Sequence, residues 1–438
     1  MKKRILSLLL ALVMVLSLAA CASSGTEAPK ATDAPKQDAA KDDAPQETVA
    51  DVTQSDFYGP IYDEWSEMTD EELYALAKDE VAKNGPINIY ATSSKMLKEE
   101  EPFEELYADL DVEIMDLDND EVLEKCVLEA NAQNVQGDVL QVKDVNGDVF
   151  FNYYEEGYVT AFYPKDICEK IDESMLRYGY PLYASQSFWY YNTEAFPDGQ
   201  PVTNWWQIVE RKEDGTQKYR LFTKEIGTET AYLSLFASFI VNADQMEKAY
   251  KDLYGTDLEY TYDGSDFDEF DVPENNAGIE YLWRFSQMKM TFISDGDQLV
   301  EAVHNSTADD PALCLASAGK IENREESGFN IGWLTGMAPY SGLLNQENLY
   351  VVANCKHPAG ARLFIRFITG GADGESGGLK PFTKEGNWPV RNDVKDKKNP
   401  ATLEECGAAV SDLASIHDVY LDTQDLWIYW RSISPYTK

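Results

Sequence analysis

Hydrophobic and polar positions along the chain fall into three regimes. Lys2, Lys3 and Arg4 precede Ile5 to Ala20, a run that is almost wholly apolar. Ser23 to Asp56 holds no aromatic residue and consists mainly of Ala, Asp, Lys, Pro, Thr and Gln. From Phe57 onward, apolar positions recur with the periods of helices and strands. Thr69-Asp70-Glu71-Glu72 has capping-box spacing, and Leu73, Leu76 and Ala77 follow with helical period until Gly85-Pro86. Ile87 to Tyr90, Val112 to Met115 and Asp138 to Val142 read as strands. Between the last two, Leu123, Cys126, Val127 and Ala130 share one helical face.

The alternation resumes further along the chain. Phe188–Tyr191, Arg220–Thr223, Asn330–Thr335 and Leu349–Ala353 read as strands, and Thr228-Glu229-Thr230 opens a helix striped by Leu233, Phe236, Ala237 and Ile240. Pro358 starts an amphipathic helix that stops at Gly370-Gly371, and Tyr262 to Asn275 reads as an acidic surface loop. Alternating strands and helices predict an α/β protein with mixed or parallel sheets.

The amino-terminal apolar run is short of the roughly 20 residues a membrane span needs. It fits a signal peptide ending in the lipobox-like Leu18-Ala19-Ala20-Cys21. Residues 1–20 are therefore expected to be a lipoprotein signal peptide, Cys21 the lipidation site and 21–56 a disordered tether. Residues 57–85 form a helical extension. The roughly 380 residues from Phe57 onward suffice for two lobes, which we divide into 86–183 with 335–395, and 184–334 with 396–438. No second apolar run of spanning length follows, so the body is expected on the outer face of a cell membrane, anchored but not crossing.

Charge narrows the partners. Among 438 residues, 78 acidic side chains stand against 37 basic ones, a net charge of −41. Nucleic acid is excluded as the default partner, because no Lys/Arg cluster is available to displace phosphate counterions. His304, His357 and His417 are the only histidines, too few for a multi-histidine metal site. Cys126, Cys168, Cys314, Cys355 and Cys406 show no CxxC pair, and their odd number leaves at least one unpaired.

Two motifs fail on context. Gly374-Glu375-Ser376-Gly377-Gly378 matches a nucleophile elbow in letters, but it follows a helix rather than a strand. Asp116, Asp118 and Asp120 start like a calcium loop, but Glu121 stands where glycine is required and Val127 where the bidentate carboxylate belongs. Asp118 reads instead as a helix N-cap. Two features keep a binding role. Thr92 to Lys95 follows the carboxyl end of the first strand, where open α/β sheets hold ligands. Thr228-Glu229-Thr230 stands at a helix start, where free N–H groups attract anions and where simple N-capping is the equal alternative. The aromatic run Phe188-Trp189-Tyr190-Tyr191 could line a pocket, though at least two of its members belong in a core.

In order along the chain stand Ile87–Tyr90 with its Ser/Thr turn, Gly137-Asp138-Val139, Trp189 to Thr193 and Asn204-Trp205-Trp206. The Thr228 helix start, Tyr340-Ser341-Gly342, the helix after His357-Pro358, and Gly386 to Arg391 complete the series. Residues 86–395 thereby resemble bacterial extracellular solute-binding proteins of ABC importers, in the group of ferric-ion, phosphonate and sugar-phosphate binders. The resemblance implies a two-lobed periplasmic-binding-protein fold (type II-like), with two mixed sheets and a ligand cleft between lobes that close by hinge motion. It implies no catalysis and no cofactor. The partners it implies are a small-molecule ligand and the permease subunits, with the body monomeric.

Where ferric binders of this family carry a histidine, a glutamate and a Tyr-Tyr pair, this chain has Ser94, Lys143 and Ser317-Ala318. Hydroxyls and an ammonium do not satisfy a hard ferric ion. The expected ligand is therefore an anionic or zwitterionic organic solute, with Glu229 placed to meet an amine. Candidate contacts are Ser93, Ser94, Lys143, Asp144, Ser185, Gln186, Thr228, Glu229 and Thr230. The same fold could instead feed a membrane receptor kinase. A secreted hydrolase would need a clustered acid, base or nucleophile in proper context.

Overall fold

The computed structural model describes residues 59–262, 272–409 and 412–436. The signal peptide, Cys21 and the tether lie outside these residues, as does most of the acidic stretch read as a loop. Among the described residues no helix is long and apolar enough to cross a membrane.

The first helix, α1 (Asp70–Asn84), starts where the sequence signals it. Thr69 Oγ1 accepts the Glu72 N–H at 3.3 Å, and the Glu72 carboxylate accepts the Thr69 N–H at 2.9 Å. It ends at Gly85, whose φ of 91° suits only a residue without Cβ. Leu73, Ala77 and Val81 form the buried stripe, while Leu76 faces solvent. That stripe packs on the helix Pro358–Ile368. Glu80 caps the later helix through the N–H groups of Ala359 and Gly360, at 3.1 and 3.0 Å. Arg366, 2% exposed, holds Asp166 in a two-pronged pair at 2.7 and 2.9 Å and also pairs with Asp70.

Fourteen strands are described: β1 (Ile87–Ala91), β2 (Val112–Asp116), β3 (Val139–Asp144), β4 (Val159–Thr160), β5 (Tyr180–Ser185), β6 (Ser187–Asn192) and β7 (Arg220–Thr223) come first. β8 (Met290–Phe292), β9 (Ala312–Ser317), β10 (Ile331–Trp333), β11 (Gly342–Leu343), β12 (Asn345–Val352), β13 (Trp388–Pro389) and β14 (Ala408–Ala409) follow. The first sheet runs β13-β5-β12-β3-β1-β2, with β4 also on β12. β1 is parallel to β2 and β3, whereas β12 is antiparallel to β3 and β5. The second sheet runs β10-β6-β9-β7-β8, with β7 parallel to β8 and β9. Both are mixed sheets flanked by helices, as the alternation predicts.

Asp138 ties the first sheet together. Its carboxylate accepts the Asn88 N–H at 2.8 Å and the His357 N–H at 3.0 Å, and it meets the buried His357 ring at 2.8 Å. His357 is thus a structural partner of Asp138.

The chain passes from the first sheet to the second through Gln186, between β5 and β6, returns after β10 through residues 334–344, and leaves the first sheet again after β13. Around the second sheet, Met337, Tyr340 and Leu343 join a core with Trp189, Trp205 and Phe236. The sequence division had grouped 335–343 with the first lobe. These apolar side chains instead lie in the second core, ahead of the return strand. Phe188, Trp189 and Tyr190 are buried in the cores of the second sheet. The closing helix Leu413–Ile433 buries Trp427 and Trp430 in the second core, while Leu413 packs with Phe150 and Tyr178 near the first sheet.

Two predictions follow from this packing. Arg366→Met removes three charge-assisted contacts but leaves carboxylates that water can reach, so it should cost about 1–3 kcal/mol of stability in a denaturant titration. An unchanged midpoint would show that these contacts do not hold α1 to its partner helix. The second concerns Asp144 at the end of β3, whose buried carboxylate accepts the Phe150 N–H at 2.9 Å. Burial pushes its pKa up to about 7. A raised carboxyl pKa favours the protonated fold, so this contribution is complete below the ordinary carboxylate range and lost as pH rises through about 7. Asp144→Asn cannot ionise. The melting midpoint of the natural protein relative to this variant should therefore fall between about pH 4 and pH 7; a constant difference would contradict the assignment.

Candidate ligand-binding site

The carboxyl ends of β1 and β3 face the carboxyl end of β7 across a cleft of about 550 Å³. Thr92 follows β1, Lys143 is the penultimate residue of β3, and Glu347 comes from β12. The opposite wall brings Lys224, just past β7, with Glu229 and Thr230 at the start of the helix Thr230–Val241. Ligands of α/β sheets bind at such strand ends.

The floor is a chain of hydrogen bonds. Glu347, 5% exposed, accepts Gln141 Nε2 at 2.8 Å and lies 3.4 Å from Lys143 Nζ. Gln141 in turn accepts the Thr92 N–H at 3.1 Å, and the Lys143 N–H donates to Asn119 Oδ1 at 3.0 Å. Asn119 opens a helix capped by the reciprocal Asp118–Glu121 box, so the N-cap reading of Asp118 holds. Burial first, and the Glu347 carboxylate second, push the Tyr183 phenol well above its ordinary pKa. On the facing wall Lys224 Nζ donates to Glu229 Oε2 at 2.7 Å. Each wall thus carries one lysine–glutamate pair. Asp118, Asp120 and Asp148 add acid, so five carboxylates line the cleft with two lysines.

Two further groups border this arrangement. Lys95, in the turn after β1, has its amine pKa lowered by burial and by the charge of Lys384, against the opposing pull of Glu322 and Glu347. From the closing helix, Tyr420 reaches the rim. Burial raises its phenol pKa, Asp148, Glu229 and Asp120 add to this, and a hydrogen bond with Thr230 opposes it. His417, one turn earlier, lies 3.2 Å from the Asn146 carbonyl.

Of the residues chosen from sequence, Lys143, Glu229 and Thr230 line the cleft together. Thr92 lines it in place of its neighbours. Ser94 is exposed, and the Ser93 carbonyl accepts the Met96 N–H within its own turn. Asp144 is buried in its cap. Ser185 and Gln186 form the crossing between sheets, where the Gln186 side-chain amide is buried with neither polar atom partnered. Thr228 is exposed and its hydroxyl donates to the Glu225 carbonyl at 3.2 Å. Neither Ser317, exposed, nor Ala318, buried, lines the cleft.

Sequence reasoning passed over Lys224, Glu347, Asn119 and Tyr420. Lys224 was within reach, since it follows a recognised strand at its carboxyl end. Glu347 was not, because Asn345-Gln346-Glu347-Asn348 is too polar to signal a strand. Among the described residues, no group of three or more His, Cys, Asp or Glu side chains is placed to hold a metal ion. The five cysteines described are all unpaired.

No curated protein matches the sequence. Solved structures do match the fold. Iron-bound HitA from Pseudomonas aeruginosa is 12% identical with a TM-score of 0.55, covering 79% of this chain and 99% of that one. Ferric iron-binding protein A of Mannheimia haemolytica, in an open conformation, is also 12% identical with a TM-score of 0.55, covering 79% and 98%. The periplasmic binding protein MotA of A. tumefaciens B6, in complex with glucopine, is 10% identical at a TM-score of 0.51, covering 79% and 99%. At these identities the likeness shows the two-lobed fold alone. A family model described as bacterial extracellular solute-binding protein matches residues 100–407, well over half of the sequence. With two mixed sheets, a cleft at their strand ends and that match, the chain belongs to the bacterial extracellular solute-binding proteins.

Proposed function

We propose that this protein is the capture subunit of an ABC importer, and that it takes a small zwitterionic organic solute into the cleft. The observation that carries this reading is the lysine–glutamate pair on each wall, Lys143 with Glu347 and Lys224 with Glu229. A ligand bearing both an ammonium and an anionic group exchanges into such pairs without leaving a charge unmatched. A purely anionic ligand would meet five carboxylates against two lysines. A ferric cargo is disfavoured, because both glutamates already engage lysines, and among the described residues no histidine lines the cleft, while Tyr420 stands only at its rim.

Closure would occur about the crossings at Gln186 and at residues 334–344, where the chain passes between the sheets. The loaded protein would then dock on membrane permease subunits as a monomer. We assign Cys21 as its lipid anchor, with residues 21–56 as the tether that holds the body off the outer face of the membrane.

Calorimetric titration with 2-aminoethylphosphonate, amino acids, ferric citrate and neutral sugars tests the ligand class. Zwitterions should bind, and at 100 times the dissociation constant should add about 2.7 kcal/mol to stability. Binding confined to ferric salts or to neutral sugars would refute the reading. The double variant K224A/E229Q, on a part-exposed wall, should keep its melting midpoint and lose about tenfold or more in affinity. Full affinity in that variant would remove the second wall from the site.

A further inference from the structure

The amino ends of the second sheet carry a pocket whose charge runs against that of the chain. It has a volume of about 490 Å³ and lies at the opposite end of β7 from the cleft. Lys212, Lys218, Arg220 and Lys289 line it, with Asp310 as the one acidic residue among its lining. In a protein of net charge −41, such a concentration of cations needs a cause.

The local bonding shows how it is assembled. The hairpin 211–217 closes through the Lys212 N–H on the Thr216 carbonyl at 2.7 Å and the Gly215 N–H on the Lys212 carbonyl at 2.9 Å. Arg211 Nη2 bonds the Gln287 carbonyl at 3.1 Å, and Gln217 Nε2 bonds the Lys289 carbonyl at 3.1 Å. These bonds fix the hairpin to the segment entering β8 and bring Lys212 and Lys289 to one mouth. Lys218 is paired with Glu210 at 3.1 Å and Arg220 with Asp310 at 2.9 Å. Lys212 and Lys289 are exposed and form no ion pair among the described residues. Tyr219, Leu221 and Phe222 also line the pocket, but Leu221 and Phe222, adjacent on β7, turn into separate cores.

We propose that this pocket is a second ligand site, one that holds a phosphate ester with its anionic group between Lys212 and Lys289. Two exposed ammonium groups outside any ion pair among the described residues, Lys212 with Asp214 as a charged neighbour in its hairpin, supply the charge-assisted bonds a phosphate needs. The ester could be a soluble metabolite or a lipid headgroup, and the two sources are separable.

The test titrates the full chain by calorimetry with glycerol 3-phosphate and, separately, with soluble dihexanoylphosphatidylglycerol. Binding of the first alone assigns a soluble ester, and binding of the second alone a lipid headgroup; either supports the site. K212E/K289E, exposed at both positions, should weaken that binding at least about tenfold, with K212A/K289A weakening it less. K224A/E229Q, altered only in the cleft, should bind as the natural protein does. The proposal fails if neither probe binds more tightly than roughly 1 mM. It fails equally if binding survives K212E/K289E, or if it is lost in the cleft variant.

Discussion

The register of β12 is the constraint on which the rest of the molecule depends. This strand lies between β3 and β5, so Glu347 stands opposite Lys143 on one side and Tyr183 on the other. Two residues earlier, Asn345 pairs with Ser185, the last residue before the crossing to the second sheet. A single set of backbone pairings therefore places the buried carboxylate of the cleft, its lysine partner and the crossing to the second sheet within a few residues. A slip of one residue would turn Glu347 to the other face and remove the floor of the site.

The facing wall is built by a different device. Lys224 follows β7 and Glu229 precedes the helix Thr230–Val241, so one short connection delivers both members of the second pair. The helix is fixed by its buried stripe against Trp427 and Phe285, with Trp427 brought by the closing helix. That closing helix also touches the first sheet through Leu413 and His417. It spans the cleft at its rim, and Tyr420 lies where groups from both walls act on it. Global charge explains none of this. The acidity of the chain describes its surface as a whole, whereas the cleft and the basic pocket are set by which few residues share a strand end.

Much of the fold was legible in the sequence because burial there follows local period. Thr69 with Glu72, the strands β1 to β3, and the helix from Pro358 all carry apolar spacing and termination signals that their own segments satisfy. The start of β12 was not legible. Its polar residues are extended because two neighbouring strands pair with them, a tertiary cause that leaves no local pattern. The closing helix was missed for the related reason that its buried face answers to two different cores. Within the site, the rule of strand carboxyl ends located Thr92, and the family resemblance located Lys143. It did not distinguish residues that cap their own backbone, such as Ser93 and Asp144, from those that face open space.

The central claim is that the cleft between the two lysine–glutamate pairs receives a zwitterion. Mass spectrometry of small molecules released on denaturing protein purified from its native cells tests it most directly. The account predicts a stoichiometric organic solute bearing both an amine and an anionic group. Release of ferric ion, or of a neutral sugar, in that stoichiometry would contradict it.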